Sequence, residues 1–373
     1  MKNKIKNISL IILFFCISFF LGIKVKSFIL LLTSILIFSF IFLFIKRLNK
    51  NLLLIYFSIL TTILFFEIVL SINFKTLLTF HKKDINEKKV IIFNDFKYET
   101  TYLGNQLKPG FYNHYKKKGN EYGFKAIYKI NSKNFRENKL IKNNEDKIKK
   151  INFFGGSDIF GWGLKDEETL PYIFSKNNKE YNVFNYGIIG GAVHQSFHMI
   201  KKDNINIGDI NVIVTTSYHL PRIDCNRDYS FNSPIYKLDK GKLVFDGYCI
   251  FPFLRTKFQL PKIIGSVLNR SEIIKVLRNT FSTEYSKENI NLYVEILKEI
   301  NNISIREKKK AVILYYGPQK DLDKEIIQLF IKNDIPFIDV SLFDKKYFIK
   351  YDKHYNKLAN TVWYNRLSQF LLN

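Results

Sequence analysis

From residue 151 onward, short apolar runs rich in valine, isoleucine and phenylalanine alternate with stretches of helical character, and this pattern restricts the fold more than any other feature. Ile151 to Phe154, Asn182 to Asn185, Asn211 to Thr215, Ala311 to Tyr316 and Pro336 to Val340 read as buried strands. Helices are expected from Thr169, an N-cap followed by Pro171 in the first turn, and over Glu284 to Lys309, Leu322 to Lys332 and Asn356 to Leu372. Strands that alternate with helices connect by right-handed crossovers, so the expected fold class is α/β, with a parallel sheet covered on both faces. Leu220 to Thr283 breaks the alternation and reads as an insertion, about residues 220–283, that would form a lid or a substrate wall.

The first 75 residues differ in kind. Ile8 to Ile23, Ser27 to Ile45 and Leu52 to Ile72 are apolar runs of about bilayer-spanning length. Three transmembrane helices in a membrane region over 1–75 are therefore expected. A cleaved secretory signal would explain the first run alone, but no small-residue cleavage site follows it. Lys2, Lys4 and Lys6 precede the first run, and Lys46, Arg47 and Lys50 fill the second loop, against Lys24 and Lys26 in the first. That bias places the N-terminus inside. Three crossings then make a multi-pass membrane protein whose C-terminal domain is extracytoplasmic. Glu67, near the outer end of the third run, is expected to snorkel to the interface rather than to line an ion path.

Residues 76–149 are polar and lysine-rich, and read as a lead-in subdomain and linker. Within them Tyr122 to Ile130 alternates like a strand, Leu107 to Phe111 reads as a turn, and Glu137 to Lys150 is the linker candidate. The formal charge of +25 accompanies a chain-wide rise in lysine, asparagine, isoleucine and phenylalanine, without an aromatic, arginine-rich module. Nucleic acid is therefore not an expected partner. Membrane lipid is one, because a positive domain beside a bilayer attracts anionic head groups. No metal-ligand spacing occurs, so no metal site is expected. With Cys16 in the first apolar run, Cys225 and Cys249 are the soluble pair; an oxidising compartment would join them, and otherwise they are two unrelated thiols.

Two segments carry chemistry. Phe153-Phe154-Gly155-Gly156-Ser157-Asp158 places a small hydroxyl at the end of an apolar strand among glycines, where ligands of an open α/β sheet bind. Tyr351-Asp352-Lys353-His354 places an acid and an imidazole just before the last helix. A hydroxyl at its ordinary pKa is a poor nucleophile, and needs an imidazole to take its proton and a carboxylate to orient that imidazole. His81, His114, His194, His198 and His219 lack so near an acid. Between the two segments, Asn185-Tyr186-Gly187-Ile188-Ile189-Gly190-Gly191 follows the second strand. It reads either as a tight turn or as a source of N–H donors for an oxyanion.

In this order the three segments resemble the SGNH or GDSL hydrolase family over about residues 150–373. Gly155-Gly156-Ser157 is similar to its nucleophile block, and the run from Gly155 to Pro171 to that of its membrane-anchored bacterial members. Asn185 to Gly190 resembles the second block, Asp352 and His354 the last, and Lys108-Pro109 and Asn134-Phe135-Arg136 the lead-in features of the membrane-anchored group. The resemblance implies a three-layer α/β/α sandwich and ester hydrolysis or acyl transfer through a serine-bound acyl intermediate, without a cofactor. Ser157 would be the nucleophile, His354 the base and Asp352 its orienting acid, with the N–H groups of Ser157 and Gly190 facing the oxyanion. The family's third block usually presents an asparagine, where this chain reads Thr215-Thr216-Ser217-Tyr218-His219. Tyr218 or His219 would then be the third donor, or the pair would serve packing alone. Asp352-x-His354 is also one residue shorter than the commonest family spacing. The expected activity is that of an esterase or deacylase on an acylated glycan or other ester substrate. A polysaccharide O-acyltransferase and a catalytically silent glycan-binding or scaffold module are the alternatives.

Overall fold

The computed structural model describes residues 90–137, 149–202, 207–223, 232–249, 286–318 and 320–372, together with Ser58, Thr61, Thr62, Leu64 and Phe65. The chain divides into two compact units, Met1–Glu87 with Phe258–Ser282 and Lys88–Lys257 with Thr283–Asn373. In the first, Ser58, Thr61, Thr62, Leu64 and Phe65 are helical. The second unit begins with strands β1 (Val90–Asn94), β2 (Tyr98–Thr101), β3 (Gly104–Leu107), β4 (Gly110–Lys118) and β5 (Glu121–Ile130). Then come β6 (Lys149–Gly155), helices α1 (Ser157–Phe160) and α2 (Leu170–Asn177), β7 (Tyr181–Gly187), α3 (Val193–Lys201), β8 (Ile210–Thr215) and the short α4 (Leu220–Ile223). A hairpin of β9 (Pro234–Asp239) and β10 (Lys242–Tyr248) precedes α5 (Lys287–Arg306), β11 (Lys310–Tyr315), α6 (Lys320–Lys332), β12 (Phe337–Asp339) and α7 (Lys357–Leu372).

Five strands form one parallel sheet in the order β12-β11-β8-β6-β7. The chain starts at β6, steps outward to β7 and returns past β6 to β8, so its direction of winding reverses between β6 and β8. Side chains alternate across each strand. Phe154, Ile213, Ile313 and Tyr315 pack with Phe197 of α3, Ile296 of α5 and Phe330 of α6 on one face. Phe153, Val212, Val214 and Leu314 pack with Phe174 of α2 and with Trp363 and Leu367 of α7 on the other. Each such buried side chain contributes about 1.5–3 kcal/mol relative to exposure.

The lead-in region holds more structure than its polar composition suggests. Besides the expected strand, now Glu121–Ile130, it contains β1 to β4, and β1-β4-β5 form an antiparallel sheet. One face of it, with Tyr112, Ala126, Tyr128 and Ile130, packs on Phe160 just after β6. The opposite face carries Phe111 and Ile127, both exposed. This one-sided burial explains why only weak alternation was visible in the sequence. Most of the expected linker, residues 138–148, lies outside the described residues.

The membrane expectation is corrected here. Among the described residues no helix is long and apolar enough to cross a membrane. A span needs about 20 predominantly apolar residues, and α5, which has 20 residues, carries Lys287, Glu288, Glu295, Lys298, Glu299 and Arg306. The runs Ile8 to Ile23, Ser27 to Ile45 and Leu52 to Ile72 lie outside the described residues, apart from the helical positions between Ser58 and Phe65. The three transmembrane helices, and the multi-pass, extracytoplasmic placement counted from them, are withdrawn.

Two local expectations also change. Thr169 stands at the N-cap of α2, but its hydroxyl donates to the Asp166 carbonyl at 2.8 Å instead of capping the helix. The expected insertion contains α4 and the β9–β10 hairpin, whose Tyr236 packs on Phe197 and bonds His198 at 2.6 Å, so this part thickens the core. Its two-residue turn has Lys240 at φ 49° and Gly241 at φ 75°, the left-handed pair that a tight hairpin requires. The remainder of the insertion, 224–231 and 250–283, lies outside the described residues, Cys225 with it. Cys249 is disulfide-bonded.

Candidate active site

Ser157 opens α1 directly beyond the carboxyl end of β6, at the point where the winding of the sheet reverses. This is where open α/β sheets bind ligands. The turn after β7 lies against it: the Ile188 N–H donates to the Gly155 carbonyl at 3.0 Å, and Asn185 links the Ile159 carbonyl at 2.9 Å to the Gly187 N–H at 2.9 Å. Gly187 has no substitute, since a Cβ there would sit 2.1 Å from the Phe160 nitrogen. Gly190, at φ 72°, lies in the turn that this contact fixes.

The C-terminal loop delivers its two groups to the same place. His354 Nε2 lies 2.9 Å from Ser157 Oγ, and His354 Nδ1 lies 2.6 Å from Asp352 Oδ1. Residues 197 positions apart are thereby joined. The loop is closed by its own backbone, with Ile349 N–H donating to the His354 carbonyl at 2.8 Å and Asp352 N–H to the Ile349 carbonyl at 2.9 Å. The second carboxylate nearby, Asp158, accepts from the Tyr316 hydroxyl at 2.5 Å and so is tied to the end of β11 rather than to the imidazole.

Asp352 is mostly buried, and burial alone would raise its pKa. The hydrogen bond and charge of His354, the ammonium of Lys116 and the His354 N–H outweigh that and hold it well below the ordinary carboxylate range. Lys116, on β4, reaches Asp352 Oδ2 at 2.9 Å. His114, two residues earlier on the same strand face, packs edge-on against Trp162 at 4.3 Å, and Trp162 lies 5.6 Å from the His354 ring. Burial pushes the pKa of His114 down to about 4, so its ring is neutral.

Neither the clamping role of the lead-in sheet nor the place of Lys116 was read from the sequence. Arg136 is fully enclosed and uses all five of its N–H groups, on the carbonyls of Phe160, Gly161 and Leu164 and twice on Asp166. It also lies 4.5 Å from the Tyr128 ring, whose hydroxyl accepts the Gly163 N–H at 2.7 Å. These contacts tie the loop after Ser157 to the lead-in sheet. At the tip of the sheet, Glu121 holds Lys350 and Tyr351, and Gly123 lets β5 press against the Lys350 carbonyl. The signal for such a role was an Asn-Phe-Arg in polar sequence, but an arginine's carbonyl partners cannot be read from spacing.

Of the two candidates for the third donor, Tyr218 is exposed and His219 buried. His219 Nε2 comes within 3.1 Å of where a Cβ on Gly156 would stand, beside the nucleophile. Its Nδ1 is 2.9 Å from the Thr215 hydroxyl, which is 2.8 Å from that of Tyr293. Burial, then the Arg222 charge and His194, lower its pKa well below the ordinary value. Among the described residues no group of three or more His, Cys, Asp or Glu is placed to hold a metal ion. A groove of about 740 Å³ lined by Ile210, Ile305, Lys309 and Pro336 opens at the opposite, amino-terminal edge of the strands, away from these groups.

No family model matches the chain, and no curated protein matches it either.

Proposed function

We propose that this chain is a serine esterase or deacylase that cleaves acyl esters through a serine-bound acyl intermediate, with an acylated glycan as substrate. One observation carries the reading: the His354 imidazole bridges the Ser157 hydroxyl at 2.9 Å and the Asp352 carboxylate at 2.6 Å. That bridge supplies what a weak nucleophile lacks. The order of Ser157, the turn at Gly190 and Asp352-x-His354 resembles SGNH or GDSL hydrolases, and the glycan substrate rests on that resemblance.

As Ser157 Oγ forms a bond to the ester carbonyl carbon, its proton passes to His354 Nε2 and the carbonyl oxygen becomes an oxyanion. Asp352, bonded to Nδ1, stabilises the imidazolium. Collapse breaks the bond to the leaving alcohol, which takes the proton from Nε2. Water then attacks the acyl-enzyme and gives a proton to His354, and release of the carboxylic acid returns that proton to Ser157. Backbone N–H groups of Ser157 and Gly190 face the oxyanion. His219 takes the place of the missing asparagine in the tautomer that carries its proton on Nε2, which requires Thr215 to donate to Nδ1 and leaves the Thr215 oxygen to accept from Tyr293. A neutral imidazole held so is a competent donor.

A fluorophosphonate probe tests the reading on the full chain. Wild-type protein is expected to label, and Ser157→Ala to lose both the label and aryl-ester turnover by a factor of about 10⁴ or more. A wild-type chain that neither labels nor releases acetate from acetylated oligosaccharides would overturn it. Running the same products with a glycan acceptor separates hydrolysis from acyl transfer.

A further inference from the structure

Lys116 stands on the inward face of β4, where its neighbours across the sheet and along the strand are Tyr112, His114, Phe124 and Ala126, all buried. A lysine seldom enters such a face without a partner, because its ammonium loses water there. The partner is Asp352 Oδ2, at 2.9 Å, with about 14% of the lysine side chain and 10% of the aspartate side chain exposed. The two carboxylate oxygens are thereby divided. Oδ1 serves His354 Nδ1 and the N–H groups of Lys353 and His354, and Oδ2 serves Lys116.

We propose that Lys116 is a positioning residue for the ester chemistry: by holding Oδ2 it anchors Asp352 with Oδ1 against the imidazole of His354. The inference rests on the serine-esterase reading above. Its physics is the division of one carboxylate between two partners, each on its own oxygen. Because the ammonium and the carboxylate are largely withdrawn from solvent, salt and water screen their attraction little.

Among the described residues, Asp352 meets His354 Nδ1, Ser157 meets Nε2, and β4 brings His114 and Lys116 to the pair. Asp158 is engaged by Tyr316, Lys353 is exposed, and His114 is a neutral ring at neutral pH. Lys117, the next lysine on β4, lies over the rings of Tyr115 and Tyr122 instead. Lys116 is therefore the cation that bears on the Asp352–His354 pair from the lead-in sheet.

The experiment follows the Nδ1–H proton of His354 in the full chain by NMR, assigned by its loss in His354→Gln, beside ester turnover and the urea midpoint. In Lys116→Met that signal is expected to move upfield as the bond to Asp352 loosens, and kcat to fall about 10- to 10²-fold with KM little changed. Lys116→Arg is expected to return both toward the wild type. Lys116→Gln, which keeps an N–H donor, serves the same comparison if Lys116→Met does not fold. A signal and a kcat that stay put in the folded charge-free variants overturn the proposal, since a merely structural lysine would lower the urea midpoint without moving the signal. The NMR measurement needs no turnover. Absence of probe labelling in the wild type would therefore sink the esterase reading while the Nδ1–H signal still decides the role of Lys116.

Discussion

In the parallel sheet the central strands are apolar on both faces, whereas the lead-in sheet β1-β4-β5 buries one face and leaves Phe111 and Ile127 of the other in solvent. The first presents Ser157, the Gly190 turn and His219 at its carboxyl edge. The second presents no reacting atom. It holds the nucleophile loop through Arg136 and Tyr128, and the acid–base loop through Lys116, Glu121 and Gly123. The difference teaches that a site of this kind has two kinds of dependence. On the esterase reading proposed above, groups on the parallel sheet would serve the bond changes, and groups on the lead-in sheet the geometry in which those changes occur.

Three substitutions would break or sharpen that division. Arg136→Met has the largest expected effect, because it strands three carbonyls and a half-buried carboxylate at once; a loss of about 3–5 kcal/mol of unfolding free energy is expected in urea titrations, with ester turnover falling in parallel. If stability were untouched, the lead-in sheet would not be a clamp. His219→Ala is expected to lower kcat about 10²- to 10³-fold through loss of one oxyanion donor, with the urea midpoint less affected than in Arg136→Met. Unchanged kcat would return His219 to a packing role.

The smallest effect concerns acid. His114 has a pKa lowered by burial from 6.5 to about 4, so the unfolded chain binds a proton in that window and the folded chain does not. The sign follows: stability rises with pH between these values and falls as pH drops from about 6.5 toward 4. His194 and His198, lowered to about 3 and about 4 by burial, act in the same sense. His114→Phe is expected to remove part of the acid-induced loss, roughly 2–3 kcal/mol, measured as the difference in urea midpoints between pH 7 and pH 4.5. An unchanged difference would show that the lead-in core tolerates a charged ring.

What could be read in advance followed burial. Strands such as Asn211 to Thr215 lie between two layers of helices, so every residue is apolar or internally bonded, and their runs stand out. β4 reads Gly-Phe-Tyr-Asn-His-Tyr-Lys-Lys-Lys, in which inward His114 and Lys116 look no different from outward Lys117. The membrane expectation came from apolar run length and flanking basic residues, and among the described residues no helix answers to it.

By itself, the sequence determined the alternation of strand and helix after residue 150 and the three candidate groups Ser157, Asp352 and His354, because periodicity and residue type are local properties. Only the tertiary structure decided that these groups meet and that Lys116 stands behind Asp352. Distances between residues far apart in the chain are set by how layers pack, and no pattern within a single segment encodes them.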